Sequence, residues 1–124
     1  MGLWVKANVP EGATFMTIGP SMANIVQFYG HRKAYGLSIS PNPLRRNPSY
    51  DPLDNPDFMI RTSDLQYVVW DAFSAERSEF FSDRLLGYVR KYHGRVIHIE
   101  SVSVTQADGS EEEVPIIIVY AVYP

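Results

Sequence analysis

Ala13-Thr14-Phe15-Met16-Thr17-Ile18, then Gly19-Pro20-Ser21, then Met22 to Gly30, and then Ala34-Tyr35-Gly36-Leu37-Ser38-Ile39-Ser40 set out one structural unit. The first segment is an uncharged, largely apolar run suited to a strand. The turn after it puts proline at the head of a helix, where its missing N–H costs nothing. Met22, Ile25, Val26 and Tyr29 recur at i, i+3, i+4 and i+7, so they mark one helical face, and Gly30 marks the stop. Tyr35, Leu37 and Ile39 alternate with small or polar neighbours, as in a half-buried strand. The sum is a β-α-β unit, for which a right-handed crossover is expected.

Outward from that unit, Leu65 to Trp70 is apolar on both faces and reads as a central strand covered on each side. After Asp71-Ala72-Phe73, Ser74 can cap a long helix whose inner face is Phe81, Leu85, Tyr88, Val89 and Tyr92, with Gly94 as its stop. Arg95 to Gln106 changes face midway: Ile97 and Ile99 share one parity, Val102 and Val104 the other. A bulge near Glu100-Ser101 is therefore expected. Asp108-Gly109 suits a type I′ hairpin turn, and Val114 to Tyr123 returns antiparallel. The predicted fold is α/β: a three-layer α-β-α sandwich on a mixed five-stranded sheet, with parallel strands one to three and a C-terminal β-hairpin.

The 124 residues, 45% hydrophobic and 20% charged, fit one domain spanning 1–124. A domain of this size buries roughly two-thirds of the surface its unfolded chain exposes. A net charge of -3 argues against bulk nucleic-acid binding, which needs an extended basic face. The charge is nonetheless uneven: no carboxylate occurs from Gly12 to Tyr50, a span that holds Arg32, Lys33, Arg45 and Arg46. With no cysteine there are no disulfides, thiolate nucleophiles or zinc-thiolate sites. No apolar run reaches the roughly 18 to 20 residues of a membrane span. Met1 to Asn8 reads as the last turns of an amphipathic helix, which leads to the expectation of a domain excised from a longer protein.

Residues 41–63 contain Pro41, Pro43, Pro48, Pro52 and Pro56, a composition that opposes both helix and ladder. In parallel sheets ligands sit at the carboxyl ends of the strands, where strand order reverses. Those ends carry Gly19 to Ser21, the proline-rich loop, and Asp71 to Ser74. Ser21 opens a helix and can receive an anion there, although capping alone is the plainer reading; Arg45 and Arg46, beside Asn42, can grip one bidentately, although a solvated pair is the plainer reading. Asp71 ends a buried strand, where acid-base or ribose-binding work is possible, but an ion pair with Arg77 is favoured. Asp51, Asp54 and Asp57 recur every third residue, yet the neighbouring prolines account for them as turn residues rather than calcium ligands. His31, His93 and His98 lack metal-ligand spacing, GxSxG is absent, and no serine has a placed base. No catalytic residue, metal or cofactor is assigned.

Trp4-Val5-Lys6-Ala7-Asn8-Val9-Pro10-Glu11-Gly12-Ala13-Thr14 resembles the phrase that opens the soluble C-terminal domains of many polytopic membrane glycosyltransferases. Those enzymes use polyprenyl- or dolichyl-phosphate sugars and are related to the protein mannosyltransferases and aminoarabinose transferases. Phe28-Tyr29-Gly30-His31-Arg32 and Leu65-Gln66-Tyr67-Val68-Val69-Trp70-Asp71 are similar to two later elements of that family, in the same order. The stretch from Ser40 to Pro48 matches no motif with a known role there. The resemblance implies an extracytoplasmic domain beneath the membrane helices of its parent chain, contributing to lipid-phosphate sugar or acceptor binding. In that family the catalytic acid lies in an early extracytoplasmic loop with no counterpart here, so the domain itself is expected to be noncatalytic. The alternative is a free-standing module binding a small anionic metabolite at Ser21, Arg45 and Asp71; an enzyme of unseen chemistry is a third, weaker reading.

Overall fold

The computed structural model describes residues 1–37, 51, 52 and 55–124. In chain order the elements are α1 (Gly2–Asn8), β1 (Thr14–Thr17), α2 (Pro20–Phe28), β2 (Lys33–Gly36), β3 (Asp51–Pro52), α3 (Pro56–Arg61), β4 (Tyr67–Asp71), α4 (Ala72–Arg77), α5 (Glu79–Lys91), β5 (Arg95–Thr105) and β6 (Glu111–Ala121). The sheet order is β3-β2-β1-β4-β6-β5. β2, β1 and β4 run parallel, and β6 is antiparallel to both β4 and β5. The mixed sheet, its parallel core and the C-terminal hairpin are those expected, with the two-residue β3 added at one edge.

Adjacent residues of a strand face opposite ways, so the central strands feed two separate cores. Phe15 and Val69 join Val5, Val9, Met22 and Val26 on the face covered by α1 and α2. Met16 and Val68 join Ile60, Leu65, Leu85 and Val89 on the face covered by α3 and α5. Each large side chain fully buried in this way contributes about 1.5–3 kcal/mol. Trp70 Nε1–H also donates to Ser82 Oγ at 3.1 Å, fastening α5 to β4.

Several local expectations are corrected. Tyr29 is 61% exposed, because α2 ends at Phe28 and the buried face is Met22, Ala23 and Val26. The long second helix is two, broken at Ser78 (φ -151, ψ 83), and its first cap is Asp71 rather than Ser74, since α4 starts directly at the end of β4. The left-handed residues that end α2 and α5 are His31 (φ 52) and His93 (φ 50), not the neighbouring glycines. Gly30 and Gly94 serve close packing instead: a Cβ on Gly30 would lie 2.6 Å from the Val26 carbonyl oxygen, and one on Gly94 2.6 Å from Val89 Cγ1.

The hairpin turn is also of a different type. Gly109 is left-handed (φ 85) but Asp108 is not, and Gln106 N–H donates to Ser110 O at 2.7 Å. This closes a three-residue loop, a type I turn followed by a left-handed glycine, instead of type I′. The bulge at Glu100/Ser101 is present, with a second register shift between Val96 and His98.

The proline-rich segment forms regular structure at its end. Asn55 caps α3 by accepting from Phe58 N–H at 3.1 Å, and Pro56 takes the first helical position, which tolerates proline. Within 41–63, residues 41–50, 53 and 54 lie outside the described residues, and with them Asn42, Arg45, Arg46 and Asp54. Among the described residues no helix is long and apolar enough to cross a membrane.

Candidate functional site

The chain leaves β1 toward β2 on one side and returns to the other side of β1 as β4, in register Phe15↔Tyr67, Met16↔Val68 and Thr17↔Val69. The crossovers therefore diverge between the carboxyl ends of β1 and β4, the place where a parallel sheet opens a crevice. Thr17 is fully buried, and its Oγ1 donates to Gly19 O at 2.9 Å, which pins the turn out of β1. Gly19 is extended (φ -134, ψ 179) at the N-cap of α2, followed by Pro20, and among the described residues no side chain caps this end. The first-turn N–H groups, those of Ser21 and Met22, thus lie at the mouth of the crevice.

The opposite wall comes from β4 and α4. Asp71 is 5% exposed; its Oδ2 accepts from Ser74 N–H at 2.9 Å, and among the described residues its Oδ1 has no hydrogen-bond partner. The expected ion pair with Arg77 is not formed. Asp71 turns inward to cap α4, whereas Arg77 lies on the exposed side of that helix with its guanidinium 5.3 Å from the centre of the Phe73 ring.

Two cavities meet here. One of about 230 Å³ is lined by Gly19, Pro20, Ser21, Phe73, Ser74 and Arg77. The other, about 390 Å³ and largely apolar, is lined by Ser21, Met22, Ile25, Asp71, Phe73 and Ile117 among others. Ser21 and Phe73 border both. Of the candidates, Ser21, Asp71 and Arg77 are brought to one place, while Asn42, Arg45 and Arg46 lie outside the described residues. Phe73, 60% exposed, was not singled out from the sequence, although a large aromatic just past a strand end is a signal for such a place. Ile117 carried no signal: it sits beside Asp71 only because β6 docks on β4.

The other titratable cluster joins α3 to α5. Lys91 Nζ–H and Tyr92 O–H both donate to Asp57 Oδ1 at 2.6 Å. These hydrogen bonds, Lys91 foremost, hold the Asp57 carboxyl below the usual carboxylate range, and the same contacts raise Lys91 and Tyr92. Asp57 is thereby engaged as a fastening. Among the described residues no three His, Asp or Glu side chains gather closely enough to hold a metal ion.

The crevice thus has a polar mouth at the start of α2 and a largely apolar annex beside it. No protein-family model matches the chain, and no curated protein or solved structure matches it.

Proposed function

We propose that this chain is a noncatalytic binding domain of a glycosyltransferase that acts on lipid-linked sugars, and that it holds an anionic group of the substrate or acceptor between β1 and β4. The observation that carries the reading is the uncapped start of α2 at Ser21, facing Arg77 across a crevice of about 230 Å³. Backbone N–H groups at a helix start favour an oxyanion, and an arginine can take its remaining oxygens bidentately. The glycosyltransferase assignment, the extracytoplasmic location and the membrane helices of a parent chain as partner rest on the resemblance of the Trp4–Thr14, Phe28–Arg32 and Leu65–Asp71 segments.

A second reading, a module for a small anionic metabolite, is favoured by one feature: the described lining of the crevice gathers from two short stretches of this chain, Ile18 to Ser21 and Phe73 to Ser78. Amide chemical shifts, followed as inorganic phosphate or vesicles carrying a polyprenyl phosphate are added, separate the two. Saturable shifts at Gly19, Ser21 and Met22, weakened by Arg77→Ala and stronger with the lipid, are expected. Shifts of equal strength with phosphate alone favour the metabolite reading, and unmoved amides in both titrations overturn the anion site.

A further inference from the structure

We propose that the outer edge of β5, from Ser101 to Thr105, pairs antiparallel with the same edge of a second copy of this chain, around a two-fold axis at Ser103, so that the sheets of two molecules join.

The hairpin outgrows the sheet that carries it. β4 reaches β6 only as far as Ile117, so residues 111–115 of β6 and 101–105 of β5 continue beyond it as a two-stranded arm. Such an arm has two open edges, and among the described residues no strand lies on either. An open edge invites pairing with other chains, and proteins deter it with charges and proline. The β6 edge carries both, in Glu111, Glu112, Glu113 and Pro115. The β5 edge is Ser101-Val102-Ser103-Val104-Thr105, uncharged, free of proline and rich in strand formers. One edge of the arm is closed to partners and the other is left open.

The backbone sets the register. Gln106 N–H donates across the hairpin to Ser110 O at 2.7 Å, and the pairing from Ser101 to Thr105 runs without a shift. N–H and C=O groups alternate in direction along a strand, so those of Ser101, Ser103 and Thr105 point away from β6. The same alternation turns the missing N–H of Pro115, opposite Ser101, to the outer edge of β6, where it costs no bond. About a dyad at Ser103, the two Ser103 residues exchange both bonds, and Ser101 does so with Thr105 of the second copy. Between them Val102 of one copy meets Val104 of the other, at positions where side chains approach most closely. These valines are 44% and 42% exposed in the single chain and cover each other in the pair. Other registers lose bonds to the bulge at Glu100/Ser101 or to the turn.

Charge and area set the strength. In the joined sheet Glu113 of each copy lies in line with Ser103, three strand spacings or about 14 Å from its counterpart. That exceeds the screening length of about 8 Å at physiological ionic strength but falls within it at low salt. So short a stretch buries less than the roughly 1,200 Å² of a stable complex, which makes the pair a weak one.

The test is sedimentation equilibrium of the chain from about 10 μM to 1 mM, in low and in physiological salt. A dimer half formed near roughly 100 μM is expected, and a several-fold tighter one in the higher salt. In a mixture of labelled and unlabelled chains, an isotope-filtered NOE should join Val102 Hα to Val104 Hα of the other copy, since these atoms are neighbours only across the dyad. Ser103→Pro removes a donor that the hairpin itself does not use. Val102→Lys with Val104→Lys sets like charges opposite each other and leaves the backbone alone. Each variant should keep the circular-dichroism spectrum of the fold and raise the midpoint of association by roughly tenfold or more. A chain monomeric throughout, a dimer that tightens as salt is withdrawn, one that both variants leave intact, or one lacking this NOE overturns the proposal.

Discussion

The Nε–H of Arg32 donates to the carbonyl oxygen of Pro10 at 2.8 Å, across the junction between α1 and the C-terminal end of α2. The same buried guanidinium donates to the carbonyls of Gly30, His31, Lys6 and Val9. This arginine is therefore not part of a basic surface, although it lies in a span without carboxylates. It gathers carbonyl groups left over where two helices end and the chain turns toward β1 and β2.

Lysine cannot replace this arrangement, since an ammonium offers three donors from one point where the guanidinium spreads five over a plane. Arg32→Lys should cost about 3 kcal/mol, through carbonyls left unpaired. A melting temperature lower by roughly 10 °C is expected, measured by circular dichroism. A change within about 2 °C would show that water satisfies the carbonyls equally well.

His93 follows the last turn of α5 in a left-handed conformation (φ 50), while Gly94 N–H donates back to Val89 O at 2.7 Å. Glycine takes this conformation without the Cβ clash that other residues meet. His93→Gly should stabilise the protein by about 0.5–1 kcal/mol, the gain being reduced by greater freedom in the unfolded chain. Urea denaturation at constant m-value is the check, and a lower midpoint would contradict it.

Asp57 gives a pH dependence with a definite sign. Its folded pKa is depressed, chiefly by the Lys91 hydrogen bond, so its contribution is present above the ordinary carboxylate range, near pH 4, and fades as pH falls through the folded value. Lys91 and Tyr92 are raised, so theirs is present below their ordinary values, near pH 10, and fades as pH rises through the folded ones. Asp57→Asn should thus lower stability by a small, constant amount between about pH 5 and 9, and the difference should narrow outside that window. Thermal melts of both proteins across pH 3 to 11 measure it; parallel curves throughout would exclude the coupling.

Arg45 and Arg46 offer a prediction from the sequence alone. Arg45→Ala combined with Arg46→Ala should leave the melting curve unchanged and weaken association with anionic lipid vesicles at low salt, with the difference shrinking as salt is added. Vesicle sedimentation reads it out, and unchanged association would remove a membrane-facing role for these residues.

The parallel core was legible because periodicities of 2 and 3.6 separate its strands and helices, and because Leu65 to Trp70 is apolar on both faces. Ser21 and Asp71 were legible as site candidates since they follow strand ends. The rest was set by tertiary geometry. Nothing local tells that Gly30 is there for the Val26 carbonyl and Val5, or that histidines rather than glycines take the left-handed slots. The break at Ser78 is likewise hidden, because neither glycine nor proline stands between Asp71 and Phe81 to mark it. Asn55-Pro56 was read as loop chemistry although the pair also starts a helix. Asp71 was matched to the charge nearest in sequence, but a side chain that caps its own helix turns away from Arg77.

Asp71 lies in register with Ile117, a residue of the last strand, so one wall of the apolar cavity comes from a segment more than forty positions away in the chain. The uncapped start of α2 can exist once β1 and α2 have formed, whereas the annex is finished only when β6 has docked on β4. Occupancy of that annex therefore selects molecules in which the hairpin is in place. A ligand reaching into it would act as a clasp on the final step of assembly, and its saturation should slow hydrogen exchange along β6 more than along β1.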